Sequence, residues 1–162
     1  MLGDPSVTAA SIHCLLTVTA RSRSADTLKR IADYGATRNV VVHLENDDGV
    51  TEEPFFIAKL IDKVNSPWLR GLPDFGNSLM HLPPENAYAG LEAMFGHAYG
   101  ISHVKGSEST EKGAVVAVDM AYAFSLMKKS GYGGYLSMEY DDAGDAHRGT
   151  EELIETTLRY LA

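Results

Sequence analysis

The sequence contains a single cysteine, Cys14, among its 162 residues. One cysteine excludes a framework of intrachain disulfides and is typical of a reducing compartment, so we expect a cytoplasmic protein. No run of 18 apolar residues occurs, which gives no support for a transmembrane helix. Positive charge is also scarce, with 14 Lys and Arg against 22 Asp and Glu and a formal net charge of -8. Nucleic-acid binding is not expected, because it depends on clustered positive charge.

Several short catalytic motifs are missing as well. The chain has no G-x-G-x-x-G and no G-x-x-x-x-G-K-[ST], so a nucleotide-binding doubly wound sheet lacks its usual phosphate loop. It has no H-E-x-x-H, G-x-S-x-G or C-x-x-C, the motifs of zinc proteases, serine hydrolases and thiol redox enzymes. The chemistry must therefore come from residues that are distant in the sequence.

What the sequence does contain is a repeated alternation of helical and strand patterns. The first predicted helix starts at an N-cap, Ser24, and four strands are predicted around residues 40–46, 68–75, 99–106 and 134–140, each followed by an amphipathic helix. Residues 11–20 could add one more strand. Strands that alternate with helices indicate an α/β fold with a parallel sheet. We expect a parallel (β/α) barrel type, as a half-barrel of about four βα units.

A polar, chemically active residue stands at the end of each of the four strands. These residues are Glu45, Asp74, His103 and Glu139, at intervals of 29, 29 and 36 residues. Each one alone has an ordinary explanation as a turn-forming or helix-capping acid, a structural histidine or a solvated strand end. Because the carboxyl ends of parallel strands share one edge, however, the four side chains are expected to converge. Three carboxylates and an imidazole suit one divalent ion such as Mn²⁺, Mg²⁺ or Co²⁺, with Zn²⁺ as a further option.

The segments "VVVHLEND", "LPDFGN", "SHVKG" and "GYGGYLSMEY", in this order, resemble the C-terminal half of the xylose-isomerase-like TIM-barrel family of sugar isomerases and epimerases. The resemblance covers residues 24–162 and leaves residues 1–23 as a poorly matched N-terminal segment. It implies that the four strands are strands 5–8 of the barrel. The chain departs from the family pattern at Asn77, where many epimerases have a histidine, and at Gly106, where an acid usually follows "HVK".

The resemblance implies a metal-dependent isomerase or epimerase that acts on a sugar or sugar phosphate. Glu45, Asp74, His103 and Glu139 would hold the metal, which stabilises an enediolate, while Glu45 and Glu139 exchange the proton next to the carbonyl. Asn77, Lys105 and His43 are candidate substrate-binding residues, although Lys105 could also be a solvated lysine and His43 a packed strand residue. Two alternatives stay open: a lyase or hydrolase like inosose dehydratase or endonuclease IV, and an inactive fragment or interaction module.

The length of the chain bears on its partners. A complete (β/α)₈ barrel takes roughly 250 residues, and four strands would leave two open sheet edges. We therefore expect either a homo-oligomer or a separate N-terminal half-barrel as a partner, besides a small sugar as substrate. No membrane partner is expected.

Overall fold

The structure, a computed structural model, describes residues 9–47, 54–109 and 113–162, and of residues 9–22 only the backbone. After a first helix, short strands and helices alternate as predicted. In chain order the elements are α1 (Ala9–Ala36), β1 (Val42–Glu45), α2 (Pro54–Val64), β2 (Leu69–Leu72), a 3₁₀ turn (Asn77–Met80), α3 (Pro84–Phe95), β3 (Ile101–Val104), β4 (Ser107–Ser109), β5 (Val115–Ala117), α4 (Met120–Lys129), β6 (Tyr135–Met138) and α5 (Ala146–Leu161).

Helix α1 is longer than the sequence pattern predicted. It begins at Ala9, so the predicted helix start at Ser24 is wrong, and so is the possible strand in residues 11–20. The reason is that no glycine or proline interrupts the chain between Pro5 and Gly35, and nothing therefore ends the helix at the expected cap. No helix in the described part of the chain combines the length and apolarity needed to cross a membrane. The assignment of residues 1–23 and 24–162 to separate segments stays a prediction.

Four of the strands form one parallel row in the order β1, β2, β3, β6. Strand β1 pairs in parallel with β2, and β3 pairs in parallel with β6. The two pairs are joined beyond the end of β2, where Asp74 bridges His103 and the amide of His103 donates to the carbonyl of Pro73 at 3.0 Å. All four strands thus point the same way, and their carboxyl ends lie along one edge, which confirms the predicted parallel half-barrel.

The row of strands is not closed into a barrel. Among the described residues, no strand pairs with the outer side of β1 or of β6. Apolar side chains stay exposed beside both outer strands, with Tyr34 at 63% and Val40 at 53% near β1, and Tyr135 at 83% and Leu158 at 59% near β6. Such open edges favour pairing with another chain segment.

The short antiparallel hairpin of β4 and β5 was not predicted from the sequence. It follows β3 directly and pairs Glu108 with Val116 at its centre. Each of its strands has only three residues, which is too short for an alternating pattern to emerge. The hairpin matters for the site because it brings Glu108 back towards the end of β3.

Two apolar clusters hold the helices against the strands. One joins α1 and α2 to β2, with Ile57, Leu69 and Met94 among its members. The other joins α3, α4 and the strand ends around Phe75, whose ring packs in T-shaped contacts with the rings of Phe95 and Phe124. Helix α3 contributes to both clusters, through Met94 and through Phe95. It can approach α2 closely because Gly90 has no side chain. A Cβ atom at this position would clash with Pro54, at a distance of only 2.0 Å. The clusters fix the strand ends that carry the polar residues.

Candidate metal centre

The four polar strand ends meet, as the parallel order of the strands requires. Glu45 ends β1, Asp74 follows β2, His103 lies in β3 and Glu139 follows β6. Each offers one ligand atom, and these four atoms all lie within 4.8 Å of one another. The sequence spacing therefore located a real cluster, and its side chains come from four different strands rather than from one flexible loop.

Asp74 is the most buried member of the cluster, with 1% of its surface exposed. Its Oδ1 atom accepts hydrogen bonds from the backbone N–H groups of Gly76 and Asn77, at 2.8 and 2.7 Å. Its Oδ2 atom is buried without a hydrogen-bond partner. Burial raises the pKa of Asp74 from 3.8 to about 6, against the opposing effects of Lys105 and the two N–H groups. One oxygen thus shapes the turn, and the other is left for a ligand.

His103 lies between two carboxylates. Its Nδ1 atom is 2.8 Å from Oε1 of Glu45 and 3.0 Å from Oε2 of Glu139. A single ring N–H points along one direction and cannot satisfy both oxygens equally well. Burial raises the pKa of Glu45, and the neighbouring Glu139 and Asp47 add to this effect, while His103 opposes it. The arrangement leaves excess negative charge around one nitrogen, which suits a cation.

Lys105 anchors the side of the cluster next to Glu139. Its ammonium group is 2.6 Å from Oδ1 of Asn77, 2.9 Å from Oε2 of Glu108 and 2.9 Å from Oε1 of Glu139. Only 3% of the Lys105 side chain is exposed, and only 2% of that of Glu108. An ammonium group has three N–H donors, and these three oxygens match them. Lys105 is therefore a buried structural cation, and the alternative of a solvated lysine is wrong.

The charged partners of Lys105 keep it protonated. Burial lowers the pKa of Lys105, but the carboxylates of Asp74, Glu139 and Glu108 outweigh this effect and raise it above its ordinary value. The lysine chain reaches its place across Gly76, where a Cβ atom would lie 3.0 Å from Cδ of Lys105. Asn77, a predicted substrate-binding residue, is buried and bound to Lys105. The predicted contacts of Asn77 and Lys105 with substrate stay predictions.

Two supporting residues were not identified from the sequence. Asn46 is buried at the end of β1, accepts the backbone N–H of Asp74 at 2.8 Å, and donates to the carbonyl of Asp74 and to Ser78 at 3.1 Å each. It holds the backbone of Asp74 on both sides. The second, Glu108, neutralises Lys105. The only sequence signal for Asn46 was its position directly after Glu45, and Glu108 had none.

His43 and His97 lie apart from the cluster. The Nε2 atom of His43 accepts the backbone N–H of Gly100 at 3.3 Å, just before β3 begins, whereas His103 lies near the other end of that strand. Burial lowers the pKa of His43. His97 lies 3.6 Å from Asp62 on α2. The structure does not bring His43 into the group of four, and its predicted role in substrate binding stays a prediction.

The four residues fit a divalent cation. If the charges of Lys105 and Glu108 cancel, three carboxylates remain around one imidazole, and this excess of negative charge is what a divalent ion offsets. Oδ2 of Asp74 is buried and has no hydrogen-bond partner, so it has a free lone pair that a cation could bind. Oxygen-rich sets with one nitrogen are suitable for Mg²⁺, Mn²⁺ and related ions.

The amino-acid sequence matches a known protein family. The sequence profile of the family described as xylose isomerase-like TIM barrel matches residues 4–162. No curated protein sequence matches the chain.

Three solved structures have the same fold, each at 17% sequence identity. The first is D-allulose 3-epimerase from Methylomonas sp., with a TM-score of 0.67 over 86% of this chain and 55% of the other. The second is 3-keto-D-glucoside 4-epimerase from E. coli in its apo form, with a TM-score of 0.65 over 86% and 53%. The third is a xylose isomerase-like TIM barrel protein from Mycobacterium smegmatis in complex with magnesium, with a TM-score of 0.61 over 100% and 54%. The chain spans about half the length of these proteins.

Proposed function

The chain belongs to the xylose isomerase-like TIM barrel family, and we propose that it carries the metal site of a sugar isomerase or epimerase. The reaction we propose is proton transfer at the carbon next to a carbonyl, through an enediolate. The observation that carries the proposal is the cluster of Glu45, Asp74, His103 and Glu139, whose ligand atoms lie within 4.8 Å of one another. Two of the structural neighbours are sugar epimerases, which supports a small sugar as substrate.

In this proposal Glu45 and Glu139 are the two proton-transferring groups. They stand at the ends of the two outer strands of the row, β1 and β6, and each has an oxygen within 3.0 Å of Nδ1 of His103. Two carboxylates on opposite sides of a substrate carbon allow one to remove a proton and the other to return it to the opposite face. Without a metal, burial raises the pKa of Glu45.

Lys105 prepares Glu139 for this role. It binds Oε1 of Glu139 and leaves Oε2 facing His103. A carboxylate held at one oxygen by a buried, fixed cation keeps its orientation without having to reorganise during the reaction. When bound, a divalent cation would supply Lewis-acid stabilisation of the negative charge on the substrate oxygens. Glu45, Asp74, His103 and Glu139 would hold it.

The donor set also bears on the alternatives. A cluster with three carboxylates and one histidine is unlike the histidine-rich sites expected of an endonuclease IV-type zinc enzyme. A lyase such as an inosose dehydratase would use the same metal and the same base but would eliminate water. An inactive interaction module would keep the metal and lose the proton transfer. Metal binding and proton exchange therefore need separate tests.

The first test is metal binding by the full chain. We expect titration with Mn²⁺, followed by calorimetry and by electron paramagnetic resonance, to show one site that Glu139→Gln and His103→Asn each weaken by at least tenfold. Glu155→Gln, an exposed acid on α5, is the matched control and should bind Mn²⁺ like the wild type. Binding that survives Glu139→Gln and His103→Asn unchanged would show that the metal lies elsewhere.

The second test is exchange of substrate protons with solvent. Ketoses incubated in D₂O with the metal-loaded protein should gain deuterium at the carbon next to the carbonyl, as measured by NMR. Glu45→Gln should abolish this exchange and should also weaken Mn²⁺ binding. A folded, metal-loaded protein without exchange on any ketose would contradict the epimerase proposal, and loss of water from the sugar would favour the lyase.

We also propose that a second copy of the chain covers the open edges. The row supplies four parallel strands, and a closed barrel of this type has eight. An apolar groove of about 390 Å³ lies between β6 and α5, lined by residues that include Tyr135, Leu136, Ile154 and Leu158. In a two-fold dimer β6 of one copy would meet β1 of the other, and both open edges would be paired.

A further inference from the structure

A cleft next to the metal centre defines the surroundings of a bound substrate. It has a volume of about 310 Å³ and shares Lys105 and Glu139 with the cluster. Its other walls come from the start of the hairpin after β3, from the first residue of α4, from the loop that follows β6, with Tyr140, Asp141 and Asp142, and from one side of α5. This volume lies within the range of small-molecule sites. Because the cleft adjoins the cluster, the charges of its walls bear on which substrate the site would accept.

The loop after β6 carries negative charge only. Asp141, Asp142 and Asp145 are all exposed, and no Lys or Arg occurs between Glu139 and His147. In TIM barrels the loops that follow the last two strands, with the N-terminus of a nearby helix, frequently bind the phosphate of a substrate. In the row of strands described above, β6 is the last. The loop at this position repels a phosphate.

The helix N-termini near the cleft are each capped by a carboxylate. The N-terminus of a helix binds phosphate through its free N–H groups. In α5 the carboxylate of Asp145 already accepts the N–H groups of His147 and Arg148, at 3.0 and 3.2 Å. In α4 the carboxylate of Asp119 accepts the N–H of Tyr122 at 3.0 Å. Both helix ends therefore present a fixed negative charge, which opposes the binding of an anion there.

The cations of this region are already paired. Lys105 is the only cationic residue among the described residues that line the cleft, and its ammonium group contacts three protein oxygens. The nearby Arg148 donates from Nε to Glu152, another cleft residue, at 2.9 Å. A phosphate entering the cleft would meet carboxylates and would have to break the buried Lys105 pairs to gain a counter-ion.

We infer that the site accepts an unphosphorylated, uncharged sugar and discriminates against sugar phosphates. This inference rests on the proposed function, and it adds the substrate class to it. The hydroxyl groups of an uncharged sugar are donors, and carboxylates such as Asp141 accept from them without an opposing charge. The electrostatics of the loop after β6 and of the two helix ends thus select the same kind of ligand.

The test compares matched pairs of ligands by binding rather than by turnover. The metal-loaded full chain is titrated with D-fructose and D-fructose 6-phosphate, and with D-xylulose and D-xylulose 5-phosphate, by saturation-transfer NMR. We expect each free sugar to bind at least about tenfold more tightly than its phosphate ester. Raising the ionic strength should narrow this ratio, because salt screens repulsion between exposed charges.

Charge-reversal variants test the cause. Asp141→Lys should reduce the preference for the free sugar several-fold, whereas Asp26→Lys, the same charge change on an exposed residue of α1, should leave the ratio unchanged. Three results would overturn the inference: an ester that binds as tightly as its free sugar, a ratio of the two affinities that does not change with ionic strength, or no binding of any free sugar. Selective binding of free sugars without deuterium exchange would instead contradict the proposed reaction and leave the substrate class standing.

Discussion

Replacing Asp74 by asparagine should stabilise the metal-free protein and destabilise its metal complex. Asp74 is buried, one of its oxygens has no partner, and its pKa is raised from 3.8 to about 6 mainly by burial. The folded state therefore binds this proton more tightly than the unfolded state. The two values differ by about two, and each pKa unit corresponds to ~1.4 kcal/mol. Holding Asp74 ionised at pH 7.5 thus costs about 3 kcal/mol of stability.

The asparagine variant removes this cost and keeps the turn. Its side-chain oxygen can still accept from Gly76 and Asn77, and its uncharged NH₂ group is not repelled by Glu139, whose charge contributes to the raised pKa of Asp74. For a raised pKa the stabilisation is complete below the unfolded value and is lost as the pH rises through the folded value. The metal-free wild type should therefore lose stability between about pH 4 and pH 6 relative to Asp74→Asn.

The assay is a pair of urea titrations, in EDTA and in excess Mn²⁺, repeated at pH 4 and pH 7.5. In EDTA at pH 7.5 we expect Asp74→Asn to be more stable by about 2–3 kcal/mol, and at pH 4 to differ little from the wild type. In Mn²⁺ at a hundredfold excess over its dissociation constant, the wild type should gain about 2.7 kcal/mol, and the variant much less. Asp26→Asn, on the exposed side of α1, is the control. Equal destabilisation of Asp74→Asn at both pH values without metal would refute the reasoning.

Three further predictions concern the supports of the site and the open edges. Glu108→Gln should lower the free energy of unfolding by about 2–4 kcal/mol, because it leaves buried Lys105 without its nearest buried counter-ion. In the same urea assay, the double variant with Lys105→Met should recover part of this loss. Asn46→Ala should lose about 2–3 kcal/mol and weaken Mn²⁺ binding by about tenfold or more in calorimetry, since Asp74 loses both of its backbone contacts with Asn46; unchanged Mn²⁺ affinity would contradict this account. Light scattering should give at least twice the 17.6 kDa of one chain, and Leu158→Lys should lower this mass while Glu155→Lys on the polar side of α5 does not; a monomeric wild type would instead point to a separate partner half.

The sequence predicted which residues would converge better than it predicted their supports. Each of the four candidate ligands stands at the end of an apolar strand, and the intervals between them equal about one βα unit, so both the strand pattern and the spacing signalled their convergence. Asn46 and Glu108 had no such signal, because a single polar residue in a turn has the same appearance whether it is buried or solvated. Lys105 was identified, but its burial could not be foreseen, since it depends on the hairpin of β4 and β5 that returns Glu108 to it.

The order of the strands and helices was predictable from the sequence, and the boundaries of the elements were less so. The alternation of strand and helix patterns indicated the parallel row correctly, because buried strands and amphipathic helices have different hydrophobic periods. The start of α1 was missed, because Ser24 is a good N-cap in isolation and only the uninterrupted helix-compatible sequence before it shows that no cap is needed. A local capping signal therefore does not start a helix where the preceding residues can themselves be helical.

Metal binding and substrate turnover should depend on different parts of the assembly. All four candidate ligands, their anchor Lys105 and the contacts of Asn46 lie within the four strands of one chain and their connections. A second chain is not required to form this cluster, so the Mn²⁺ site should persist when the edges are blocked. A substrate, in contrast, must be shielded from water while its proton is transferred. The four strands of one chain leave the site open beside β1 and beside β6. We therefore expect Leu158→Lys to keep Mn²⁺ affinity within about twofold of the wild type and to lose deuterium exchange. A monomeric variant that retains full exchange would show that the half-barrel alone encloses its substrate.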